Sequence, residues 1–165
     1  MSLYGRVGMT GTRDGMTDNQ KDLFDMYCEF IYDINDKEHR FCFLHHGDCI
    51  GADAEADAIA YRNGFKIWAH PPSKTALRAF VEVINRRALS SDPKGYFERN
   101  RDIVNMSELM FGFPKTEFET RGGTWYTINY AKDKKKPLVI IYPSGIIEEH
   151  NTNFLEEYRK WLRNK

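Results

Sequence analysis

His45-His46-Gly47-Asp48-Cys49-Ile50-Gly51-Ala52-Asp53-Ala54-Glu55-Ala56-Asp57 is the stretch whose reading decides the fold. It follows a short apolar run, Phe41-Cys42-Phe43-Leu44, and opens an alanine-rich segment of helical character. A strand that stops at a glycine-containing, acid-rich turn and restarts as a helix leaves free backbone N–H groups and acidic side chains at a sheet edge. That is where α/β proteins hold small molecules. Gly47, Asp48, Gly51 and Asp53 are therefore candidate ligand-binding positions. The competing reading is a plain strand–turn–helix junction whose glycines serve only the backbone.

The rest of the chain is consistent with one domain, 1–165. Its 165 residues are enough to bury a real core, and 41% apolar with 29% charged residues is a globular composition. Formal net charge is zero, so no global field draws the protein to nucleic acid or to an anionic membrane. No apolar run approaches the roughly 20 residues of a membrane span, and no signal-peptide core opens the chain. Three cysteines without a C-x-x-C pair make neither a disulfide framework nor a zinc knuckle. The expectation is a cytoplasmic protein with no membrane association. His45, His46, Asp48 and Cys49 are ligand-type residues, but strand neighbours point to opposite faces and cannot all meet one ion. Neither a metal site nor a cofactor is expected.

Working outward, residues 3–9 read as a first strand, followed by Thr10-Gly11-Thr12-Arg13-Asp14-Gly15. Two glycines, two hydroxyls and an arginine there make an anion-binding turn, with Gly11, Thr12 and Arg13 as its candidates. Thr17 and Gln20 form a capping box that starts a helix over 18–35, its apolar face Leu23, Tyr27, Phe30, Ile31 and Ile34. Strands are expected at 40–45, 65–69, 108–113 and 137–142, and helices over 52–62, 96–106 and 126–132. Residues 71–98 form a long connection or lid, whose Lys74, Arg78, Arg86 and Arg87 are cations for a ligand or for solvent. Arg121-Gly122-Gly123-Thr124 places glycines, a hydroxyl and an arginine at a helix start, a second phosphate-binding constellation. Phe154, Leu155, Tyr158, Trp161 and Leu162 give a C-terminal helix over 152–163 one apolar face. His46 and His70 suit proton transfer by their ordinary pKa range. This alternation predicts an α/β, three-layer Rossmann-like fold with a parallel sheet and helices on both faces.

Thr10-Gly11-Thr12-Arg13, the His46–Asp53 turn, Arg99-Asn100 and Gly122-Gly123-Thr124 together resemble the SLOG superfamily. That group joins DprA-type DNA-processing proteins with LOG phosphoribohydrolases, and the resemblance spans residues 3 to about 145. It implies a five-stranded sheet in the order 3-2-1-4-5 and a ligand at the switch point between strands 1 and 4. It also implies a nucleotide or nucleotide-sugar as partner, Arg99 and Asn100 near it, and a homo-oligomer. LOG enzymes carry a PGGxGTxxE motif; here the turn is RGGTW, and Thr127 falls where the glutamate belongs. Asp53, Asp57, Glu117 and Glu119 are the acids available to replace it, with Asp53 or Glu119 the candidate catalytic carboxylate. Two readings follow: a module that senses or sequesters a nucleotide, or an N-glycosidase cleaving a nucleoside monophosphate. DNA binding is disfavoured, because no basic stripe with interleaved aromatics is present.

Overall fold

Strand β1 (Arg6–Gly11) sits at the centre of the sheet and pairs on both sides. In the computed structural model, which describes residues 4–84 and 88–165, Val7 lies in register with Leu44 on one side and Leu109 on the other. The neighbours are β2 (Phe43–His46) and β3 (Lys66–Ala69) to one side, and β5 (Leu109–Phe113) and β6 (Leu138–Ile141) to the other, all parallel. β5 and β6 are buried at every position, as continuous apolar runs in a sheet covered on both faces must be.

The predicted inner order is observed, but among the described residues the sheet has seven strands rather than five. β4 (Leu89–Ser90) adds in parallel to β3, and β7 (Ile147–His150) adds antiparallel to β6. Two residues are too few to show a period. Ile147-Glu148-Glu149-His150 is only half-buried, as an edge strand is, and its polar residues hide it from an apolar-run search. The hairpin turn closes through Gly145, whose N–H donates to Tyr142 O at 2.8 Å.

Helix α1 (Asp18–Lys37) starts as its sequence predicts: Thr17 Oγ1 accepts from Gln20 N, and Thr17 N donates to Gln20 Oε1 at 2.9 Å. The buried Gln20 amide also donates to Pro114 O and Ile141 O, fixing the first turn of α1 to the ends of β5 and β6. Phe24, Tyr27, Phe30 and Ile31 then pack with α2 (Ala52–Arg62) and α6 (Phe154–Arg163) on one face of the sheet. Phe154 is the hub of an edge-on aromatic cluster, its ring centroid 5.1 Å from Tyr27 and 5.4 Å from Phe30. α4 (Tyr96–Met106) and α5 (Gly123–Asp133) cover the other face through Ile103, Val104, Trp125 and Ile128. The C-terminal helix begins at Phe154, two residues later than its pattern suggests.

The connection 71–98 carries structure of its own. It holds a short helix α3 (Val81–Ile84), the strand β4, and bridges pairing Cys49 with Arg78 and Pro72 with Lys94. Arg86 and Arg87 lie outside the described residues. No helix among the described residues is long and apolar enough to cross a membrane.

Candidate functional site

The topological switch lies between β1 and β5. The chain leaves β1 toward α1 on one face and leaves β5 toward α5 on the other, so a cleft opens beyond their C-terminal ends. The cleft measures about 770 Å³ and gathers the turn after β1, the turn after β2, the first turn of α4 and the start of α5.

The β1 turn is held from behind. Thr12 O accepts from Ala52 N at 2.9 Å, and Thr12 Oγ1 accepts from Asp14 N at 3.1 Å. A Cβ on Gly11 would come within 2.5 Å of Ala52 Cβ, so this glycine lets α2 lie against the strand end. Arg13 leaves the turn and lies over the Tyr96 ring, 5.2 Å from its centroid. Opposite it, Gly122 is the N-cap of α5 at φ 99°, with no side chain capping the helix. A Cβ on Gly122 or Gly123 would meet nothing within 4 Å, so the helix start stands open to the cleft. Arg121 beside it is exposed, and neither Arg13 nor Arg121 has an acidic partner among the described residues. Lys115 is different: its ammonium is paired with Asp14 at 2.7 Å, bridging the two turns.

Gly47, Cys49, Asp53 and Arg99 also line the cleft. Arg99 is buried, and its guanidinium donates to Gly47 O, to His70 O at 3.2 Å and to Asn100 Oδ1 at 2.7 Å. It thereby ties α4 to the ends of β2 and β3. Asp53 Oδ2 accepts from Cys49 N at 3.2 Å. Burial pushes the Asp53 carboxyl pKa up from the ordinary range, partly opposed by the Arg99 guanidinium and by the backbone N–H groups of Cys49 and Gly47. Burial likewise raises the Cys49 thiol.

Four sequence candidates do not line the cleft. His46 is fully buried; its Nδ1 accepts from Asp48 N at 2.9 Å, so Nε2 carries the proton and donates to Asp57 at 2.8 Å. Both ring nitrogens are engaged by partners within the fold. Asp48 turns away at φ 55° and binds Arg78 Nε at 2.6 Å and Val81 N at 3.0 Å, clamping the 75–84 segment onto the turn. Gly51 starts α2 at φ 84°, and a Cβ there would lie 2.3 Å from Arg13 O. Gly51→Ala is accordingly expected to lower stability by about 2 kcal/mol in urea unfolding, since strain and overlap act together; unchanged unfolding would show that the contact is dispensable. His70 Nε2 pairs with His45 Nδ1 at 2.9 Å beneath the sheet edge.

Of the four replacement acids, only Asp53 and Glu119 line the cleft, Glu119 at its exposed rim. Glu117 instead accepts from Ser144 N at 2.7 Å, and the Thr127 hydroxyl donates to Gly123 O inside the helix. Gly11, Thr12, Arg13, Gly47, Asp53, Arg99, Asn100 and Arg121 to Thr124 are brought together. Sequence reasoning missed Cys49, Tyr96, Phe97, Lys115 and Tyr126; two aromatics at the start of α4 and two in the first turn of α5 were the available signal.

No protein-family model matches the chain, and no curated protein does. Solved structures do. DNA processing protein A from Helicobacter pylori, described for its single-stranded DNA binding mode, is 16% identical with TM-score 0.63, over 96% of this chain and 80% of that one. A molybdenum cofactor binding protein from Rippkaea orientalis is 15% identical with TM-score 0.60, over 96% and 82%. The molybdenum cofactor carrier protein from Chlamydomonas reinhardtii is 18% identical with TM-score 0.54, over 82% and 74%. With the strand order and the switch-point cleft, these likenesses establish that the chain has a Rossmann-like fold shared with these proteins.

Proposed function

We propose that the cleft binds a nucleotide or a nucleotide-derived phosphate ester and holds it without breaking it. One observation carries this reading: Arg13 and Arg121, neither committed to an acid, flank one cleft with the uncapped glycine start of α5. Guanidinium groups and free helix N–H groups are the donors a phosphate needs. Similar structures named for holding a molybdenum cofactor support a ligand-holding role for this architecture. The same reading has the protein working in the cytoplasm as a homo-oligomer, with a small molecule as its partner.

Hydrolysis of an N-glycosidic bond is the second reading, and Asp53 is what favours it: a buried carboxyl of raised pKa lining the cleft. Against it, one Asp53 oxygen is engaged by Cys49 N, and neither histidine first considered lines the cleft. Binding is therefore the better account.

The test is calorimetric titration with nucleoside monophosphates, ADP-ribose and cyclic dinucleotides, with chromatography for free base. A ligand at 100 times its dissociation constant should add about 2.7 kcal/mol of stability. Arg121→Ala and Arg13→Ala should each weaken binding about tenfold, the cost of one charge-assisted contact. Base release that vanishes in Asp53→Asn would replace the binder by the hydrolase. No heat and no stabilisation with any phosphate ester would remove both.

A further inference from the structure

Both helices on the α4–α5 face begin at the cleft, and each carries an exposed or half-exposed aromatic ring in its first turn. Phe97 of α4 is 57% exposed and lines the cleft. The helix does not need it there: Ile103 and Val104 already fill its share of the core. Across the cleft wall, Tyr126 of α5 lies with its ring centroid 4.4 Å from that of Phe97, the planes tilted by 52°. Its hydroxyl accepts from Arg101 Nη1 at 2.9 Å, which fixes where the ring stands. Tyr96, with Arg13 above it, continues the aromatic lining toward the β1 turn.

Tyr126 is three residues beyond Gly123, less than one helical turn from the anion-binding end. The geometry assigns to Phe97 and Tyr126 a ring-binding subsite: they take the planar heteroaromatic part of a ligand whose phosphate sits on the Arg121–Thr124 turn. This rests on the phosphate-binding reading of the same cleft and narrows its ligand class to ring-bearing phosphate esters of mononucleotide size, setting aside sugar phosphates and inorganic anions. The tilted pair gives one ring for face-on stacking and another for an edge contact, the two arrangements aromatic groups favour. Stacking on an aromatic side chain tolerates any base, because every base has a π-face. Adenosine 5′-monophosphate therefore serves as probe for the ring, with ribose 5-phosphate as the same ester without it.

Titration calorimetry of both probes against wild type, Phe97→Ala and Phe97→Tyr decides the matter. Phe97 is largely outside the core, so its removal leaves the fold intact, which circular dichroism checks. The adenosine ester should bind wild type at least about fivefold more tightly than ribose 5-phosphate. Phe97→Ala should remove that advantage while leaving ribose 5-phosphate binding unchanged, and Phe97→Tyr should keep it. Equal affinity of the two esters for wild type, or an unchanged adenosine advantage in Phe97→Ala, overturns the subsite while the phosphate anchor stands. An equal loss for both esters in Phe97→Ala also overturns it, since the ring then only shapes the anchor. If neither ester binds wild type, the phosphate reading fails and the subsite fails with it.

Discussion

Asp48→Ala is expected to lower the unfolding free energy by about 3–5 kcal/mol, the usual cost of removing one partner of a buried ion pair. Asp48 is fully buried, and its carboxylate is the acceptor for both Arg78 Nε and Val81 N. Arg78 goes on to Glu82 at 2.6 Å and stacks over Phe80, 4.3 Å from the ring centroid. Alanine at 48 leaves a largely buried guanidinium half-paired and an amide N–H without an acceptor. It also puts a side chain poorly suited to φ 55° where aspartate is tolerated. Asp48→Asn keeps the acceptor and the backbone preference, so its loss should be clearly smaller. Urea unfolding of the two variants measures the difference, and limited proteolysis should cut first in the 73–84 segment of the alanine variant. Equal stability of Asp48→Ala and wild type would sink this account of the turn.

A second large effect is acid sensitivity below neutrality. His45 and His70 share one ring-to-ring hydrogen bond, and each is stacked against Trp68. Burial pushes the His45 pKa down to about 3, reinforced by positive charge at His70 and Arg6, and pushes that of His70 down to about 4, reinforced by the charges of Arg99 and Lys94 and opposed by Asp102. Well above pH 6.5 both rings are neutral whether the chain is folded or not, and they add no pH dependence. As pH falls below that value the unfolded chain takes up protons that the folded chain refuses, so stability drops. Between pH 6.5 and pH 4.5 the loss is about 2 kcal/mol for each ring and about 4 kcal/mol for the pair. Denaturation midpoints over that range should fall steeply for wild type and much less for a His45→Asn, His70→Asn double variant. A flat wild-type profile contradicts the buried neutral pair.

How far the sequence could be read depends on which physical signal each residue leaves. Leu109–Phe113 and Leu138–Ile141 were legible because strands covered on both faces are continuous apolar runs. Thr17 and Gln20 were legible because a capping box is local chemistry. Leu89–Ser90 was not, since its pairing comes from β3 and leaves no pattern of its own. The glycine turns at Gly11 and at Gly122–Gly123 declared themselves by composition, whereas the direction of side chains within His45–Asp57 did not. Asp48 takes a left-handed backbone and turns toward Arg78, while His46 points into the helix at Asp57. Phe97 escaped because helical spacing assigns an aromatic to the core by default, and only the packing of Ile103 and Val104 shows the core complete without it.

The central position of β1 has a kinetic meaning. Its partners in β5 lie about a hundred residues away along the chain, and the β1 and β5 turns face one another only after that pairing closes. Closure over so long a loop is entropically costly. No partly folded form that lacks the β1–β5 ladder possesses the cleft. A ligand held there therefore stabilises the whole cooperative unit rather than a local segment, and slows amide exchange in β1 and β5 together with that of the distant α6.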